Sequence, residues 1–168
     1  MTVVGLAWAC LAAAASASTP SAPSYPGLGP ALDGAEAAFG QFEETTGRID
    51  FHLWKAPESL VAAASGSLER TLKQIQSGRV ALGILRKSER PSPVDLFLVL
   101  EALHAAAVAG NLGQDVSRLG GNEKLAAELL SAAENANHKA QAVKSIFSTL
   151  LLDRERDLAQ CRAASPPP

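Results

Sequence analysis

Glu101-Ala102-Leu103-His104 is the one motif in this chain whose residue types and spacing suit metal chemistry. A Glu-x-x-His pair sets a carboxylate and an imidazole on one helical face, and di-iron bundles use two such pairs with two further glutamates. Glu134 and His138 offer a second pair four residues apart, so they also share a face, but the motif does not recur. Glu101 and His104 also fall opposite the Leu96, Leu100 and Leu103 stripe, where water is the default neighbour. A solvated polar stripe is therefore the expectation, with a metal or redox bundle at Glu101 and His104 as the minor alternative.

Other chemistries find less support. There is no Cys-x-x-Cys-His, and the sole methionine is Met1, so only a bis-His haem from His52, His104 and His138 is left,. Cys161 lies on an apolar stripe and reads as a small core residue rather than a nucleophile. Trp54, with His52 and Lys55 nearby, reads as the cap of one end of a bundle before it reads as a ligand rim. No glycine-rich stretch has P-loop spacing, and no Asn-x-Ser/Thr acceptor occurs,. The expected activity is none: no catalytic residues, no cofactor and no resident metal.

The elements that must position these residues follow from composition and periodicity. The chain has 168 residues, 47% of them hydrophobic but only 5% aromatic, and a net charge of −2. Alanine and leucine carry the apolar content, and both favour close-packed helices. With no basic face, nucleic acid is not an expected partner. One local asymmetry stands out. Residues 69–90 hold six basic side chains from Arg70 to Arg90, while residues 33–50 hold Asp33, Glu36, Glu43, Glu44 and Asp50. Pairing between two neighbouring helices is the expected use of that asymmetry.

Residues 1–17 read as a cleaved export signal. Val3 to Ala15 is an unbroken small and apolar run, and Ala15-Ser16-Ala17 offers the small-x-small pattern of a cleavage site,. The n-region lacks Lys and Arg, and the run is too short and alanine-rich to anchor firmly, since a span needs about 20 apolar residues. Cleavage would leave Ser18 first, remove Cys10, and leave Cys161 with no intramolecular disulfide partner. About 150 residues would remain, one domain's worth. The expected location is periplasmic or extracellular, with no stable membrane insertion.

Residues 18–32, rich in Pro, Ser and Gly, predict a flexible leader. The spacing then predicts four helices. The first runs from Asp33 to Trp54, although the alternation around Ile49, Phe51 and Leu53 would also suit a strand. The second follows Pro57 and carries Val61, Leu68, Ile75 and Leu82 every seven residues, with a kink or break expected at Ser77-Gly78. The third opens on Ser92 as N-cap with Pro93 at N1 and lines one face with Leu96, Leu100, Leu103, Ala107 and Gly110. A loop is expected over Asn111–Gly121. The fourth helix, capped by Asn122, carries a stripe from Leu129 through Leu150 to Leu158 and Cys161, fraying from about Arg162.

The resulting expectation is an all-α, four-helix up-down-up-down bundle over residues 33–163, with a disordered tail at 164–168. The third helix is apolar nearly all round between Pro93 and Ala109, which implies cover on a second side. Phe97, Leu98 and Val108 are the candidate patch for another protein or for self-association. The leading function is a structural or interaction module. A small apolar ligand carrier, using the interior near Phe97, His104 and Trp54, is the alternative.

Overall fold

The computed structural model describes residues 25–51 and 54–164, with side chains to residue 160. Among these residues the fold is all-helical: α1 spans Leu28–Thr46, α2 Glu58–Leu85, α3 Pro93–Leu119 and α4 Glu123–Ala164, with no strand. The proposed signal at 1–17, residues 18–24 of the leader, His52, Leu53 and the last four residues lie outside the described residues.

Neighbouring helices run antiparallel, as the contacts along each pair show. Thr71 on α2 donates to the Ala105 carbonyl of α3, while Gly78 lies against Ala102. Gly113 and Gly110 of α3 lie against Leu129 and Ala133 of α4, while Phe97 stacks on Phe147 at the other end. Gln41 of α1 bonds Asn135 of α4, and Arg48 reaches Glu128. α3 packs on both α2 and α4 and is the most enclosed helix.

The core is a graded mixture of small and large side chains. Phe39, Phe42, Ile75, Leu82, Leu96, Leu103 and Leu129 are fully buried, with Ala35, Ala38, Ala102, Ala106, Ala136 and Ala140 between them. The alanines let backbones approach, and the leucines and phenylalanines fill the space left over. The acidic and basic segments meet as expected. Arg79 on α2 bridges Glu36 at 2.8 Å and Glu43 at 2.6 Å on α1, and Arg86 meets Asp33 at 2.9 Å. Such half-exposed pairs contribute about 0–1 kcal/mol each and serve chiefly to set which faces meet.

Two start signals act as the sequence implies. The Ser92 hydroxyl accepts from the Asp95 amide, and the Asn122 side chain accepts from the Leu125 amide. Five boundaries differ from expectation. α1 begins at Leu28, inside the expected leader, because Pro30 falls in its first turn, where no backbone N–H is needed,. Ala31 and Leu32 are consequently buried. α1 stops at Thr46 instead of continuing to Trp54: the Thr46 hydroxyl turns back onto the Phe42 carbonyl, and the Gly47 amide closes the helix on Glu43. α2 passes through Ser77-Gly78 without a break, since Gly78 sits at a helix crossing rather than a hinge.

The largest correction is at Asn111–Gly121. That stretch is helix as far as Leu119, and the turn is confined to Gly120-Gly121, where Gly121 takes φ +76°. The inward stripe does continue past Gly110, through Gly113, Val116 and Ser117, and the small size of Gly113 and Ser117 hid it from a hydrophobicity pattern. Ser117 is fully buried, and its hydroxyl has no hydrogen-bond partner among the described residues. Ser117→Ala should therefore stabilise the fold, by up to about 1 kcal/mol in chemical denaturation, because an unpaired hydroxyl costs more buried than a methyl does. A loss of about 1 kcal/mol would show instead that the hydroxyl is satisfied.

α4 is also longer than its neighbours. It stays helical to Ala164 rather than fraying from Arg162. Leu158 is 59% exposed, against the expectation of a core position, because no other helix reaches that far along α4. The Cys161 side chain, expected to continue the same stripe, lies outside the described residues.

Candidate functional site

Glu101 and His104 lie on the outer side of α3, beside α2. With Ser67, Arg70, Gln74 and Val108 they line an open groove of about 310 Å³. Glu101 is exposed and His104 half-buried. Glu134 and His138 are exposed on α4, which contributes nothing to that groove, so the two pairs are not brought together. Among the described residues no group of three or more His, Cys, Asp or Glu side chains is placed to hold a metal ion. The pair on α3 is geometrically a polar stripe on a helix flank.

Trp54 folds under one end of the bundle, 9% exposed, against Ala64, Val116, Leu125 and Leu129. Phe51 tilts against it with ring centroids 5.0 Å apart. The segment after α1 therefore acts as a plug, as a bundle-capping Trp should. Phe97 is at the opposite end, tilted against Phe147 at 6.3 Å. Phe97 and Val116, an α3 residue in the same buried cluster as Trp54, are 19 positions apart, roughly 28 Å along a helix,. The ligand-site trio of Phe97, His104 and Trp54 thus does not converge on one cavity.

The apolar residues that face outward are more coherent. Val94 (67% exposed), Phe97 (46%), Leu98 (39%) and Val108 (66%) all project from α3. Positions 94, 98, 101, 105 and 108 advance by threes and fours, and 97 lies three after 94 and four before 101, so these side chains and Glu101 occupy one face. α3 is also the one described helix long and apolar enough by length and composition to cross a membrane, and 56% of its most apolar stretch is buried inside the bundle. Sequence periodicity could find this face because its outer positions are as apolar as its inner ones.

A second open cleft, about 730 Å³, escaped the sequence reading because it depends on where α4 outruns the other helices. Tyr25, Arg90, Pro91, Leu150, Asp153 and Leu158 are among its walls. Partial burial, and then the Asp153 carboxylate, raise the Tyr25 phenol above its ordinary pKa. Leu151 and Leu152 add further exposed apolar surface on the same stretch of α4. The cleft thus combines apolar walls with charges of both signs.

No family model matches the chain, and neither curated proteins nor solved structures match it.

Proposed function

We propose that this protein is a non-catalytic helical interaction module working outside the cytoplasm, an up-down-up-down bundle delivered by a cleaved signal at residues 1–17. Its binding face is the outer side of α3. The observation that carries this reading is the row of Val94, Phe97, Leu98 and Val108, exposed on one face of a helix that is already core on the other. Exposed apolar side chains at helical spacing cost solubility unless a partner covers them, and a helix face is a common docking element. The apolar run at Val3–Ala15 and the Ala15-Ser16-Ala17 pattern support the export half of the reading,.

A photoreactive phenylalanine analogue at position 97, incorporated in the cells that make the protein, tests both halves. The expected result is a discrete protein adduct whose contribution from this chain begins at Ser18 by mass. An adduct yield no higher than with the same analogue at exposed Glu134 would overturn the binding face. A chain that retains Met1 to Ala17 would overturn the export reading.

A further inference from the structure

We draw no further inference here: the strongest candidate, the open cleft beside the projecting end of α4, walled by Tyr25, Arg90, Leu150 and Leu158, carries none, because nothing in the structure shows what covers it.

Discussion

Phe39→Ala should cost about 3–5 kcal/mol of folding stability, the largest loss expected from a single truncation in this chain. Phe39 is fully buried where α1 meets α2 and α3, and its ring edge lies 3.1–3.2 Å from the position a Cβ would take on Gly78. Only eight aromatic side chains occur in the whole sequence: five Phe, two Trp and one Tyr. Their role at this junction cannot pass to neighbours, because Ala35 and Ala38 on α1 and Ala102 on α3 are too short to fill the space. Urea denaturation with a two-state fit measures the loss. A cost below about 1.5 kcal/mol would mean that α1 slides inward and closes the cavity, and that the junction is softer than its burial implies.

Gly110→Ala should destabilise by about 1–3 kcal/mol, although the same change in an unobstructed helix interior stabilises by up to about 1 kcal/mol. A Cβ at position 110 would stand 2.9 Å from the Ala133 Cβ and 3.1 Å from the Leu129 carbonyl oxygen. Backbone is what it meets, so no rotamer change relieves the clash and α4 must move away from α3. Gly83→Ala is the control, since nothing lies within 4 Å of the corresponding position and α2 is regular there. Opposite signs for the two substitutions, read as shifts in Tm, are the expected outcome. Stabilisation at both would show that α3 and α4 lie further apart than described.

Among the four helices, the parts legible in advance were those written in large apolar residues or in caps. Leu68, Ile75 and Leu82 mark the inner face of α2, and Leu96, Leu100 and Leu103 that of α3, by spacing alone. Ser92 and Asn122 announce helix starts because a side-chain oxygen must satisfy the free amides of the first turn,. The match between Asp33, Glu36 and Glu43 on one segment and Arg79 and Arg86 on another was equally readable, since opposite charge at helical spacing has few other uses.

The candidate surface was legible only in part. Phe97, Leu98 and Val108 stood out because apolar residues on all sides of a helix leave some without a core to enter. The projection of α4 was not legible: Leu158 follows the core stripe faithfully in sequence, and only the length of the neighbouring helices decides that it meets water. The same limit applies to glycine. Whether Gly78, Gly110 and Gly113 break a helix or let two helices touch depends on what lies opposite, and a hydrophobic period carries no information about the opposite side.

The sequence by itself therefore determined the helical class, the inward faces of α2, of α3 as far as Gly110 and of α4 as far as Leu150, the N-caps Ser92 and Asn122, and the charge match of α1 with α2. These follow from side-chain period and local hydrogen bonding, which need no knowledge of distant contacts. Only the tertiary structure decided that Asn111–Leu119 is helix, that Glu101 and His104 stand apart from Glu134 and His138, and that α4 ends in the open. Each of these is set by which surfaces meet across the bundle, and burial against a distant helix outweighs the local preferences of a few Gly and Asn residues.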